Sequence, residues 1–434
     1  MRVGITAFAI IVALSSVPFA ARAAGKAVPD LSGDWVGEFV PTGTSNGEIE
    51  YSRFTLQQTG NTLTGTWRTA SVTGSINNGK IDLRLSTVPD NTYTAVLKSG
   101  EMVGTAQVPR GELKWRAYRE TSQTAPPTTH DFKPTQFHRL FSGSIAPALR
   151  IHSGDTVRTW TVDAGGSDSG NVKRSEGGNP QTGPFYVEGA LPGDTVAVHL
   201  IRISLNRDTA LSDGIISANA LDPAYHAAYK EPGTPFVVWQ LDREHGIARL
   251  ADAGDKLKNY TVPLRPMLGC VGVAPPQRMA FRTGYLGSYG GNLDYNRIRE
   301  GTTVYLPVFQ PGALLFVGDG HAAQGDGELT GNALETSLDL EFRVELIRGE
   351  SAGAPRAEDA EYRMAMGIGG SLNEALQQAT TNMARWLQRD FKLNRAEVAY
   401  VLGTAMSYDV AEVVDPQYHV VARVSKEALA RIAQ

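Results

Sequence analysis

Twelve residues, Val317 to Glu328 with the sequence VGDGHAAQGDGE, gather two Asp, one His, one Glu and four Gly directly after the apolar stretch Tyr305 to Phe316. A strand-forming segment that ends in alternating carboxylates, an imidazole and glycines offers hard oxygen ligands and one nitrogen ligand, with little bulk to obstruct a small substrate. That composition fits metal-assisted hydrolysis. A cation polarises a carbonyl oxygen and lowers the pKa of bound water from about 15.7 toward ~7. A carboxylate placed to take the water's proton typically adds about 10²–10⁴ in rate.

Asp319 and His321 stand at i, i+2, which on an extended segment puts both side chains on one face, in reach of one ion. The competing reading of His321 is a hydrogen-bonded loop histidine. Asp326 and Glu328 repeat the spacing after Gln324-Gly325, so one of them can face the ion while the other caps a turn. Glu328 is the residue read as general base, against the alternative of a solvated turn carboxylate. Asn292 and Asp294, in Gly290-Gly291-Asn292-Leu293-Asp294, would orient substrate or complete the coordination sphere, although such a turn is a weak signal alone. His138 stands outside any carboxylate-rich neighbourhood and is read as structural. Cys270 lies in the apolar run Leu268 to Val273 without a nearby His and is read as core rather than nucleophile.

Those residues belong to a chain of 434 residues, long enough for two or more domains, with a net charge of only −4 and no basic stripe. A nucleic-acid partner is not expected. The N-terminus carries Arg2, an apolar run from Ile5 to Leu14, Pro18 and then Ala21-Arg22-Ala23, the pattern of an export signal cleaved after Ala23. Residues 1–23 are therefore read as a signal peptide and the mature protein as periplasmic or secreted. No later stretch is apolar for long enough to span a bilayer. With Cys270 as the only cysteine, an intramolecular disulfide and a Cys-rich zinc site are both excluded.

Around the chemistry, residues 30–120 alternate polar and apolar positions in short runs, Trp35 to Phe39, Phe54 to Gln58, Thr62 to Trp67, Lys80 to Leu85, Tyr93 to Lys98 and Leu113 to Tyr118. Turn sequences such as Asn77-Asn78-Gly79 punctuate them, predicting a β-meander domain, a small barrel or curved sheet with an accessory role. Residues 121–134, rich in Pro and Thr, read as a linker. Beyond it, strands are expected at Leu149 to Ile151, Val157 to Val162, Phe185 to Val187, Val196 to Leu205, Pro235 to Leu241, Ala248 to Leu250, Thr303 to Gln310 and Leu338 to Ile347. Helical spacing of Leu372, Leu376, Ala379, Met383, Trp386 and Leu387, behind the capping pair Ser371 and Glu374, predicts one helix. A second is expected from Asn394 to about Thr404. The C-terminal portion is thus α+β.

Four segments, Thr161 to Ala164 (TVDA), Asn179 to Asp194 (NPQTGPFYVEGALPGD), Met267 to Pro275 (MLGCVGVAP) and Tyr289 to Glu335 (from YGGNLD through GDGHAAQGDGE), resemble in this order the acetamidase/formamidase family. The likeness runs from roughly His138 to Val424. It implies hydrolysis of a short linear amide to ammonia and a carboxylate, in a region 135–434 built as a jelly-roll-like β-sandwich that binds divalent metal and assembles as a homo-oligomer, a dimer or higher. By the same resemblance Asp163 matches the Asp of a TxDA element and becomes the remote metal ligand beside Asp319 and His321, although Asp residues at strand ends are commonly turn caps. Glu188 and Glu335 match family positions, with a buried structural carboxylate as the alternative for each. Zinc suits a His-carboxylate site, and calcium, as a second ion, an oxygen-richer one. The signal and the meander domain depart from a short-chain cytoplasmic amidase and leave the substrate open to larger amides or lactams.

Two other functional classes compete. One is a non-catalytic periplasmic protein whose carboxylates hold a structural ion while the meander domain grips a polymer or lipid. The other is a glycoside hydrolase on paired carboxylates, disfavoured because no aromatic sugar platform flanks the acids.

Overall fold

The computed structural model describes residues 29–41, 49–109, 111–120, 126–228 and 236–432. The export signal read at residues 1–23 lies outside these. The chain divides into two compact units, Met1–Glu120 and Thr121–Gln434.

The smaller unit is a closed barrel of eight strands, Gly33–Pro41, Glu50–Thr59, Thr62–Trp67, Ala70–Asn77, Lys80–Leu85, Val88–Lys98, Glu101–Val108 and Gly111–Arg119. Each is antiparallel to the next, and the first closes the ring on the last through pairs such as Phe39 with Trp115. An eight-stranded barrel has an interior just wide enough for side chains to fill. Here Trp35, Phe39, Phe54, Trp67, Tyr93 and Trp115 occupy it, with Phe54 stacked on Trp67 at 4.7 Å and Phe39 on Trp115 at 5.9 Å. Two strands, Ala70–Asn77 and Glu101–Val108, are missing from the sequence reading. The first buries Ala70, Val72 and Ile76 and the second Met102 and Ala106, and each carries a glycine pressed on the neighbouring strand. A Cβ would fall 2.1 Å from the Asp82 carbonyl oxygen at Gly74 and 1.8 Å from that of Thr94 at Gly104. Close packing of backbones replaced the side-chain alternation that betrays a strand.

The larger unit contains two large sheets. The eleven-stranded one runs in the order Thr261–Pro263, Ile247–Leu250, Val237–Asp242, Thr209–Ser212, Glu335–Thr336, Leu315–His321, Met267–Gly272, Gly290–Asn292 and Leu286–Gly287, with Thr182–Val187 and Leu149–Ile151 branching from Leu315–His321. The nine-stranded one runs Met406–Glu412, Tyr418–Ser425, Tyr362–Gly369, Arg356–Glu358, Thr303–Pro307, Thr195–Leu205, Leu338–Ile347, Thr156–Trp160 and Thr129–Asp131. Val198, Leu200, Phe342 and Val344 from the second share one apolar core with Leu268, Val271, Phe316 and Val317 from the first. Two sheets burying one face each against the other make a sandwich.

The stretch 121–134 is not wholly a linker. Thr129–Asp131 pairs in parallel with Thr156–Trp160, and Asp155 secures it by accepting from the Thr128 amide at 2.8 Å. Pro and Thr content does not preclude a short edge strand.

Helix Leu372–Phe391 starts where Ser371 caps it, the hydroxyl accepting from the Glu374 amide, and Arg395–Ala405 starts at a full capping box between Asn394 and Glu397. The first helix buries Ala375, Ala379, Met383, Trp386 and Leu387 against Tyr362–Gly369 and Tyr418–Ser425. Leu372 and Leu376 of the expected stripe are exposed instead, at 43% and 40%, and the helix meets the sheet through Ala375 and Ala379 over Gly367, where a Cβ would stand 1.9 Å from the Ala375 carbonyl oxygen.

Glu412 ends strand Met406–Glu412 fully buried and accepts from the amides of Val414 and Asp415, the former at 2.5 Å. Burial, reinforced by Asp415, pushes its carboxyl from 4.5 up to about 8 despite those donors. The unfolded chain gives up this proton near its ordinary value and the fold holds it, so the contribution of this group to stability falls as pH rises between the two. Glu412→Gln cannot ionise. The melting temperature of the variant relative to wild type is expected to rise between about pH 5 and about pH 8, and a pH-independent difference would refute the assignment.

Candidate active site

The site forms where strands Met267–Gly272, Leu315–His321 and Glu335–Thr336 lie side by side. Register places Leu268 opposite Gly320 and Cys270 opposite Gly318, which leaves Gly269 facing Asp319, while His321 pairs with Glu335. Gly269 is the floor. A Cβ there would stand 2.5 Å from Asp294 Oδ1, 2.6 Å from Asp319 Oδ2 and 2.9 Å from the His321 ring, so only glycine leaves room for the three side chains. The same residue holds Asp294 in place, its carbonyl accepting from the amides of Leu293 and Asp294 at 2.8 and 3.0 Å.

Around His321 Nε2 lie Glu335 Oε1 at 3.0 Å, Asp319 Oδ1 at 3.4 Å, and Asp294 Oδ1 and Glu328 Oε1 at 4.0 Å each. All five residues are buried. Two overlapping sets, Asp319, His321 and Glu335, and Asp294, His321 and Glu328, have ligand atoms within 4.8 Å of one another. On the far side of the ring, Gln324 fixes the tautomer. Its amide nitrogen donates to the carbonyls of Asp294 at 2.5 Å and Ala411 at 3.4 Å, so its Oε1 accepts from His321 Nδ1 at 2.9 Å. With Nδ1 committed as donor, the Nε2 lone pair of the neutral ring points into the carboxylates. Nε2, Asp294 Oδ1 and Glu335 Oε2 are buried without a hydrogen-bond partner. One nitrogen and several oxygens with unsatisfied valence are the donor set a divalent cation takes, and a cation offsets the cost of burying the charges. The site therefore fits a metal, with Asp319, His321 and Glu335 as its tightest set.

Electrostatics tell the same story. Burial, compounded by Glu328 and Asp319, raises the Asp294 carboxyl well above its usual range, and burial raises that of Glu328 likewise. Glu335 is pushed up to about 7 by burial, with His321 opposing. Burial opposes charge on His321, yet Glu335 and Asp319 beside its ring win and hold the imidazole well above its usual value. A proton and a metal ion compete for the same lone pair.

A layer of amides organises the acids. Asn179 Nδ2 donates to Asp319 Oδ2 at 2.9 Å and to Asn292 Oδ1 at 2.5 Å, and Gln181 Nε2 donates to Asn179 Oδ1 at 2.8 Å. Asn292 Nδ2 in turn donates to Asp294 and, at 2.9 Å, to Asp415 Oδ2. Glu328 and Glu335 both accept from the Ala333 amide, each at 3.0 Å. His419, kept neutral by burial with its value lowered to about 4, donates from Nδ1 to the Leu293 carbonyl at 2.6 Å.

The structure brings together Asp294, Asp319, His321, Glu328 and Glu335 and sets others apart. Asp163 lines the same cleft, but Arg207 pairs with its Oδ2 at 2.7 Å and the Ser167 amide donates to its Oδ1 at 2.8 Å, so both oxygens are engaged away from His321. Arg207, itself buried, also donates to the carbonyls of Thr209 and Glu335, which makes Asp163 part of a structural clasp. Asn292 touches the acids, yet both its amide hydrogens are committed to carboxylates and none is left for a substrate oxygen. Asp326 is exposed and bound to Asn296 at 2.7 Å. Glu188 pairs with Arg150 at 2.5 Å in the sheet's periphery. His138 is half-buried and bridges to Gln181 without joining the cluster, and Cys270 is buried core. Asn179, Gln324 and Asp415 were missed. Asn179 and Gln324 lay inside motifs already singled out, whereas Asp415 sits on the distant turn after Met406–Glu412, with no local signal.

The cluster opens into a cleft of about 1060 Å³ whose lining includes Asn179, Asn292, Asp319, Glu328, Glu335 and Asp415.

Residues 277–424 match the model of the Acetamidase/Formamidase family. The chain is 25% identical over 266 residues to a formamidase of Methylophilus methylotrophus, an alignment covering 49% of this chain and 64% of that one, just under two thirds of that relative's length. It is 41% identical over 61 residues to an acetamidase of Mycolicibacterium smegmatis, covering 14% of this chain and 15% of that one. Among solved structures, a predicted acetamidase/formamidase from Thermoanaerobacter tengcongensis superposes with a TM-score of 0.61 at 26% identity, over 71% of this chain and 99% of its own. An acetamidase from Yersinia enterocolitica gives 0.61 at 29% identity, over 73% and 96%. Residues 277–424, which carry this motif region, thus match the acetamidase/formamidase family model, and the larger unit is similar in fold to solved acetamidase/formamidase structures.

Proposed function

We propose that the larger unit is a metal-dependent amidase that hydrolyses a linear amide to a carboxylate and ammonia. The observation that carries this reading is the buried His321 Nε2, unpartnered and ringed by carboxylates beside an open cleft. Asp319, His321 and Glu335 would hold the ion, with Asp294 closing the set from behind, and the imidazole nitrogen favours zinc. When bound, the cation supplies polarisation of the amide carbonyl and acidification of water, both needed because an amide is a poor electrophile.

Glu328 remains the general base. It lines the cleft and, at 4.0 Å from Nε2, lies outside the tightest set of Asp319, His321 and Glu335, which leaves it for the attacking water. There it takes the proton of the attacking water and returns it to the amide nitrogen, which leaves as ammonia. Asn179, Asn292 and Gln324 keep the acids and the imidazole aligned. Asp163 holds Arg207. Export of the protein before it acts is part of the same proposal, supported by the Arg2, Ile5 to Leu14 and Ala21-Arg22-Ala23 pattern.

Ammonia release from formamide, acetamide and longer amides, by mature protein of measured metal content and with a chelated control, tests the reading. Chelator-sensitive release is expected. Absence of release from folded, metal-loaded protein would overturn it. His321→Ala is expected to lose metal and turnover together. Glu328→Gln should retain metal while kcat falls about 10²–10⁴-fold, and equal loss of metal in both variants would remove Glu328 from the base role. Gln324→Ala frees the ring to rotate and is expected to weaken metal binding about 10–100-fold, read by competition with a chromophoric chelator.

A further inference from the structure

The cleft has far more room than a one- or two-carbon amide needs. At about 1060 Å³ it matches the upper end of pockets for drug-sized ligands, roughly 300–1,000 Å³. Its charge is also divided. Carboxylates occupy the floor, and the cations that line it are Arg139, Lys173 and Arg282. Lys173 is occupied by the Gly165 carbonyl. Arg139 meets Glu176 at 3.0 Å, a pair whose acid is 81% exposed and therefore weakly held. Arg282 has no acidic partner among the described residues.

The two arginines belong to one small piece of structure tied to the floor. Strands Leu140–Ser142 and Ala280–Arg282 pair with Leu140 opposite Arg282, and the Thr283 amide donates to the Arg139 carbonyl at 3.2 Å. Thr283 Oγ1 then donates to the Gly178 carbonyl at 3.1 Å, and the Arg139 side chain passes 3.8 Å from where a Cβ on Gly178 would lie. The next residue is Asn179, hydrogen-bonded to Asp319. The segments that carry the two arginines are thus tied, through Thr283 and Gly178, to the residue that holds Asp319, and both arginines line the cleft.

Resting on the amidase reading above, we propose that the substrate is a primary amide bearing a carboxylate a few carbons from the amide, with Arg282 and Arg139 binding that carboxylate. A guanidinium fork matches a carboxylate bidentately and more strongly than it does a neutral group. Held at the arginines, the carboxylate end stays at the rim, and the amide end is left to reach the floor.

Metal-loaded full-length protein is assayed with succinamic acid against neutral butyramide, and with glutaramic acid against valeramide. The acidic amides are expected to show kcat/KM about 10–100-fold higher, the worth of one or two charge-assisted hydrogen bonds. Arg282→Gln and Arg139→Gln, with melting temperature checked, should raise KM for the acidic amides and leave their kcat unchanged, and Arg282→Lys should recover part of the loss. Equal or better turnover of the neutral amides overturns the proposal and leaves the amidase reading standing. Calorimetric titration with succinate separates the two failures. Binding that depends on Arg282, without turnover of any amide, keeps the anion site and removes the amidase reading, and no binding without turnover removes both.

Discussion

Repulsion among carboxylates is the constraint on which this molecule is organised. Asp294, Asp319, Glu328 and Glu335 all lie within about 4 Å of one imidazole nitrogen, buried from water. Like charges so placed in a low-dielectric interior push one another apart and toward protonation. Everything nearby answers that repulsion. Asn179, Asn292, Gln324 and the Ala333 amide spend their hydrogens on the acids or on the atoms that fix them, and the apolar core behind denies the acids any escape toward solvent. A divalent cation is the natural completion of such a set.

The sheet supplies the precision. Two adjacent strands deliver Asp319, His321 and Glu335 through backbone pairing, and Gly269 on a third lets their side chains meet over it. Asp319 and Glu328 sit at φ of 60° and 46°, a left-handed backbone that non-glycine residues adopt at a cost. Strain of this kind survives only where the surroundings over-determine it: strand pairing flanks Asp319 on both sides, and Glu328 is held by the amides of Ala333 and Gly331.

How much of this was legible depended on distance along the chain. The GDGHAAQGDGE run carries Asp319, His321 and Glu328 within a dozen residues, so the part of the buried cluster that lies close along the chain was visible there, and i, i+2 spacing puts Asp319 and His321 on one face. Helix starts at Ser371 and Asn394 were equally plain, because caps are local chemistry. A strand-end carboxylate looks the same whether it faces an ion or an arginine, and Arg207, which pairs with Asp163, lies 44 positions later. Asn292 looked free for substrate because its two carboxylate partners are invisible until the chain folds. Asp415 could not be found at all, since only the pairing of Met406–Glu412 with Tyr418–Ser425 carries its turn to the cleft. In the barrel, Gly74 and Gly104 concealed two strands by doing with bare backbone what side chains usually announce.

The Ala333 amide has one hydrogen and two claimants. Glu328 and Glu335 share it, so neither carboxylate owns a full donor, and whatever draws one of them away hands the whole bond to the other. A change of charge on either acid therefore strengthens or weakens the bond left to the other, so one peptide hydrogen couples two carboxylates that both face the His321 ring.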